Sequence, residues 1–107
     1  MFEVKAIVRV DRQTEVIAAL HEIPGLPGLT LSLVEGIGRR HPMQQDFGRV
    51  VMAKLEIVLT DEHLTQVVDA LKRSAHTGRP GDGKVFVRRV DQVIRLQTGE
   101  TGLDALR

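Results

Sequence analysis

A chain of 107 residues, 42% of them apolar, is long enough for one domain with a modest core and too apolar to stay disordered. Fifteen basic residues against 14 acidic ones leave a net charge of +1, so there is no general pull toward nucleic acid or anionic membrane, and any anion site must be local. There is no cysteine, which excludes disulfides and thiolate metal sites, and the three aromatics are all Phe, too few for a base-stacking surface.

No apolar run approaches a membrane span, and the start, Met1-Phe2-Glu3-Val4-Lys5, lacks the apolar core of a signal peptide. A soluble cytoplasmic protein is expected, with no nucleic-acid partner and no insertion into a membrane. Residues 2–10 alternate. Phe2, Val4, Ala6, Val8 and Val10 share one face and Glu3, Lys5 and Arg9 the other, with Ile7 breaking the polar side. That pattern predicts a half-buried strand. Asp11 is placed to cap a helix over 12–23, whose Val16, Ile17, Leu20 and Ile23 recur at helical spacing. Pro24 to Gly28 ends it, and Leu29, Leu31 and Leu33 start a second strand reaching about Glu35.

Residues 36–49 show no periodicity and hold three glycines, one proline and three arginines, which predicts a long exposed loop of the kind that often carries function. A third strand follows over 50–59, with Val51, Ala53, Leu55, Ile57 and Leu59 facing one way. Thr60 or Asp61 is placed to cap a second helix, with Leu64, Val67, Val68 and Leu71 as its buried stripe and an end near Ala75. Between Gly78 and Gly83 three glycines and one proline exclude helix and strand. A glycine-rich turn allows backbone N–H groups to face one concavity, and Arg79 and Lys84 add positive charge there, so the loop is a candidate anion cradle. The plain alternative is a tight helix-to-strand connection. A fourth strand is expected over about 84–90, a short fifth over about 92–97, and a tail from Thr98 with at most a weak helical turn.

Two βαβ units in succession predict an α+β, ferredoxin-like βαββαβ sandwich with a short extra C-terminal strand, in one domain over 1–107. Both helices then lie on one face of the sheet. The opposite face carries Ile7, Val34, Val50, Met52 and Val58, too apolar for plain exposure, and burial against other copies of the chain is the economical reading.

Four stretches then resemble the PII signalling family. They are Thr77-Gly78-Arg79-Pro80-Gly81-Asp82-Gly83-Lys84-Val85-Phe86-Val87, Val90 with Val93 to Glu100, Gly36-Ile37-Gly38-Arg39, and Lys54 to Val58. They fall in family order, and with the first strand and helix, which fit in outline, the resemblance covers nearly the whole chain. The resemblance implies a homotrimer that binds ATP or ADP in clefts between subunits. Carried over, Gly81, Asp82, Gly83 and Lys84 would cradle phosphates, with Arg95 reaching them from the neighbouring subunit. Thr30, Glu56 and Val58 would line the adenine pocket, and Gly36, Ile37, Gly38 and Arg39 would meet the nucleotide at the base of the long loop, the T-loop of that family. That loop would engage a partner, a membrane transporter or a metabolic enzyme, through Arg40, His41, Asp46 and Arg49.

The departures from the family pattern are informative. Arg40 stands where typical members carry Gln, and Met52 where they carry Lys, two groups that help hold 2-oxoglutarate with Mg-ATP. A cation cannot ligate a metal as an amide oxygen does, so 2-oxoglutarate is not expected as in typical members, and Mg is left open. Gln97 replaces a second Arg beside Arg95, which favours ADP or AMP over ATP. The loop is also shorter than usual, a deletion that loops tolerate. Without tyrosine, uridylylation on that residue is impossible. These features describe a divergent, PII-like member.

A second reading is a metal-linked trimer like the copper-tolerance or heavy-metal-transport-associated proteins of similar fold. His21, His41, His63 and His76 form no local ligand pair, though His41 and Asp46 could join across subunits. Catalysis is not expected, because Asp61, Glu62, Asp82 and Asp91 form no recognisable acid/base pair.

Overall fold

The structure is a computed structural model, described over residues 1–38 and 48–107. Its elements are β1 (Phe2–Arg9), a 3-10 turn (Val10–Arg12), α1 (Gln13–His21), β2 (Thr30–Ile37), β3 (Arg49–Leu59), α2 (Asp61–Ala75), β4 (Gly83–Arg89) and a 3-10 turn (Gly102–Leu106). The strands form one antiparallel sheet in the order β2-β3-β1-β4. Each βα unit therefore sends its second strand past a neighbour, and the result is the interleaved ferredoxin-like order that the two βαβ units predict.

The alternation in β1 and β3 decides which face is dry. Val4, Ala6 and Val8 of β1 and Ala53, Leu55, Ile57 and Leu59 of β3 are buried against Val16 and Leu20 of α1 and Val67, Ala70 and Leu71 of α2. On the other face, Glu3, Lys5, Ile7 and Arg9 sit opposite Val58, Glu56, Lys54 and Met52. Among the described residues no helix covers that side. Ile7, Val34 and Val58 are half-buried there, Val50 is exposed and Met52 is buried.

Val10 and Val51, expected on the dry face, are exposed, and three further details differ from the sequence reading. Asp11 does not cap α1: the chain makes a 3-10 turn first, Arg12 takes the cap position, and no side chain bonds the free N–H groups. Asp11 instead lies between Arg9 and Arg79, 3.4 Å from the Nε of the first and 3.8 Å from Nη2 of the second. Thr60 is the N-cap of α2, but its hydroxyl faces His63 Nδ1 at 3.3 Å rather than a backbone N–H. Among the described residues there is no fifth strand. The run over 92–97 folds back on itself, Gly99 N–H donating to the Arg95 carbonyl at 2.8 Å, and leaves only the Ile94–Thr101 bridge. The weak turn expected in the tail is the 3-10 segment Gly102–Leu106.

Candidate functional site

The glycine-rich loop is shaped from within by one carboxylate. Asp82 accepts from the backbone N–H of Thr77 at 2.8 Å, from the N–H of Gly78 at 2.9 Å, and from the Thr77 hydroxyl. The Thr77 hydroxyl also accepts from Arg79 N–H at 3.2 Å. These bonds, that of the Thr77 hydroxyl first and the two backbone donors with it, hold the Asp82 carboxyl down from 3.8 to about 2, and His76 at 3.9 Å helps when protonated. The side chain of Asp82 is thus spent on the loop, leaving glycine backbone and Lys84 to face a ligand.

A depressed carboxyl pKa stabilises the folded loop above the unfolded value and loses that contribution as protons bind. The loop is therefore expected to stay intact above about pH 4 and loosen as pH falls from there toward 2. Carboxyl 13C titration of Asp82, followed with the amide shifts of Thr77 and Gly78, checks this. A midpoint at the unperturbed 3.8 would contradict the geometry.

Gly83 is demanded by space. It pairs with Val8 at the start of β4, at φ +100, and a Cβ there would sit 1.8 Å from the Ile7 carbonyl oxygen. That close approach brings the loop against the end of β1. There a cavity of about 320 Å³ is lined by Ile7, Gly36, Ile37, Gly38, Gly48, Val50, Met52, Gly81, Gly83, Lys84 and Phe86. Lys84 supplies the only charged side chain among those lining residues. The loop base and the glycine loop, read separately from sequence, thus meet in one place. Ile7, Met52 and Phe86 were not read as site residues. The apolar Ile7 on an otherwise polar face was the signal for the first.

The other expected residues lie elsewhere. Thr30, Glu56 and Val58 line a cavity of about 930 Å³, together with Glu3, residues 25–28 and the tail residues Ala105, Leu106 and Arg107. Arg95 joins this end through the tail, donating to the Glu100 carboxylate at 3.1 Å, to the Ala105 carbonyl at 3.5 Å and to the Arg107 carbonyl. Gln97 is exposed and lines neither cavity. Thr30 pairs with Glu56, and Gly36 with Val50. Six residues of strand, roughly 20 Å at about 3.3 Å each, therefore separate the two groups. Both lie on the open face of the sheet, so one chain carries the expected residues in two lobes at opposite ends of that face.

Arg49 starts β3 and lies 3.7 Å from Glu35 across the hairpin. Arg39, Arg40, His41 and Asp46 lie outside the described residues. Among the described residues, no three of His, Asp and Glu converge in a way that could hold a metal ion, and no helix is long and apolar enough to cross a membrane.

The family model described as "Nitrogen regulatory protein P-II" matches residues 1–100. The nitrogen regulatory protein P-II of Rhizobium meliloti (strain 1021) is 41% identical over 115 aligned positions, covering 99% of this chain and 100% of the relative. Nitrogen regulatory protein P-II 2 of Methanothermobacter thermautotrophicus is 40% identical, covering 99% and 97%. Among solved structures, Arabidopsis thaliana PII bound to citrate superposes with a TM-score of 0.83 at 38% identity, covering 97% of this chain and 90% of that one. The chain therefore belongs to the nitrogen regulatory protein P-II family and is a regulatory protein rather than an enzyme.

Proposed function

We propose that this protein is an adenine-nucleotide-responsive regulator that acts as a homotrimer and controls a transporter or enzyme through residues 38–50. The observation that carries the reading is the separation of the two lobes. The glycine loop and loop base sit at one end of the open face, with Thr30, Glu56, Val58 and the Arg95-bound tail at the other. A nucleotide held by both lobes needs one from each of two neighbouring copies. Ring closure then supplies every lobe with its complement, as head-to-tail interfaces do. The apolar residues on the uncovered sheet face favour burial between copies.

In this arrangement Gly81, Asp82 and Gly83 offer backbone to the phosphates and Lys84 offers charge, while Gly36, Ile37, Gly38 and Arg39 close the loop base. Arg95 turns from its tail carbonyls toward phosphate oxygens. ADP and AMP suit the site better than ATP, because Gln97 brings no charge. Met52, buried in the cavity wall, gives no cation to pair with a dicarboxylate such as 2-oxoglutarate. The citrate-bound Arabidopsis relative agrees with an anion-accepting site in this fold. Arg39, Arg40, His41, Asp46 and Arg49 are the residues offered to the partner protein.

The test is calorimetry with ADP, AMP and ATP beside equilibrium sedimentation. A mass of three chains and saturable nucleotide binding are expected. Lys84→Ala should weaken ADP by about 10- to 150-fold, the effect of losing one charge-assisted hydrogen bond of about 1.5–3 kcal/mol. No heat with any nucleotide at millimolar concentration, or a chain sedimenting alone, would end this reading.

A further inference from the structure

The sharp turn Arg9-Val10-Asp11-Arg12, between β1 and α1, grips the segment that leads into the glycine loop. Arg12 donates from Nε and Nη2 to the Ser74 carbonyl at 2.9 and 2.7 Å, in the last turn of α2 where carbonyls lack helical partners. Arg79 lies 3.8 Å from Asp11, an exposed pair of small effect. Arg9 is placed differently. Its Nη1 donates to the Pro80 carbonyl at 3.2 Å and lies 3.9 Å from Asp82 Oδ1, and its side chain is only 23% exposed. Its Nε is buried, 3.4 Å from Asp11 but without a hydrogen bond. A Cβ at Gly81 would sit 3.6 Å from Arg9 Nη1, so the guanidinium already fills the space beside that glycine.

We propose that Arg9 is a positioning residue for ligand binding: by holding the Pro80 carbonyl, it fixes the crest of the loop so that Gly81 and Gly83 stay against the cavity they line. Arg9 does not line that cavity but an adjoining one of about 530 Å³ beside Pro80 and Gly81, so its hold on the first is through the loop. A planar guanidinium serves two neighbouring acceptors at once, which a point charge does less well. The carbonyl it occupies would otherwise be free to turn the peptide between Pro80 and Gly81, and that peptide carries the Gly81 N–H. The identity of the ligand rests on the nucleotide reading above. The hold on the loop rests on the geometry alone.

Amide hydrogen exchange over residues 77–84 and calorimetric titration with ADP, on the full chain, test the proposal in wild type, Arg9→Met and Arg9→Lys. In Arg9→Met, loop exchange should quicken and ADP affinity should fall, each by roughly tenfold or more. Arg9→Lys, which keeps one donor for the carbonyl, should recover part of both. Loop exchange unchanged in Arg9→Met overturns the proposal, and if ADP affinity falls all the same, Arg9 acts by its charge. If Arg9→Met does not fold, Arg9→Lys decides, and no change in either readout ends the idea. If wild type takes up no ADP, the nucleotide reading falls and the exchange data alone judge Arg9.

Discussion

Gly83→Ala is expected to cost about 3–5 kcal/mol of stability and to abolish ADP binding as well. Two penalties combine. The residue sits at φ +100, where a Cβ meets backbone at a cost of about 1–2 kcal/mol. The new methyl would also lie 1.8 Å from the Ile7 carbonyl oxygen and 2.8 Å from its carbon, and backbone cannot step aside as a side chain can. β4 must leave β1 at the end that carries Lys84, taking the glycine loop with it. Urea denaturation reads the first effect and calorimetry the second. A loss below about 1 kcal/mol would mean that the two backbones do not approach as described.

Leu71→Ala should cost about 2–5 kcal/mol, because the hole it leaves in α2 cannot collapse between sheet and helix. Leu71 is 2% exposed and belongs to the same cluster as Val67 and Leu59. Against a total of about 5–15 kcal/mol, such a loss would take much of the protein's stability. The comparison must be made at one protein concentration, since association adds to apparent stability. A midpoint shifted by less than the equivalent of about 1 kcal/mol would place Leu71 outside the tightly packed core.

What could be read in advance followed from periodicity. Val4, Ala6 and Val8 recur every second residue, and Val67 and Leu71 every fourth. Period alone states which side of an element is dry, and a sheet with two helices on one face follows from that. Ends were harder. Asp11 looks like a cap because Asp often is one, yet Arg9 and Arg79 compete for its carboxylate, and the second of these is distant in sequence. The run from Gln92 to Gln97 has strand-like residues, but a strand also needs a neighbour along its edge, and here its bonds close on the local turn.

The site divided in the same way. Lys84 and the glycines were legible as a local motif. That they meet Gly36 and Gly38 needed the sheet, because only the β2–β3–β1–β4 pairing brings the two stretches together. Arg9 gave no signal at all, since it reads as an ordinary solvent-facing strand residue until the loop is folded over it.

The Gly38 N–H donates to the Gly48 carbonyl at 3.2 Å, just beyond the Ile37–Arg49 pair that closes the β2–β3 ladder. Both ends of residues 39–47 are therefore moored at a single post. Lengthening or trimming the chain between moorings changes the entropy of closing it by only about 0.6 kcal/mol per doubling, and no strand need shift. Under the partner role proposed above, residues 39–47 can be rewritten for a new target while the Gly38–Gly48 closure and the sheet below it stay as they are.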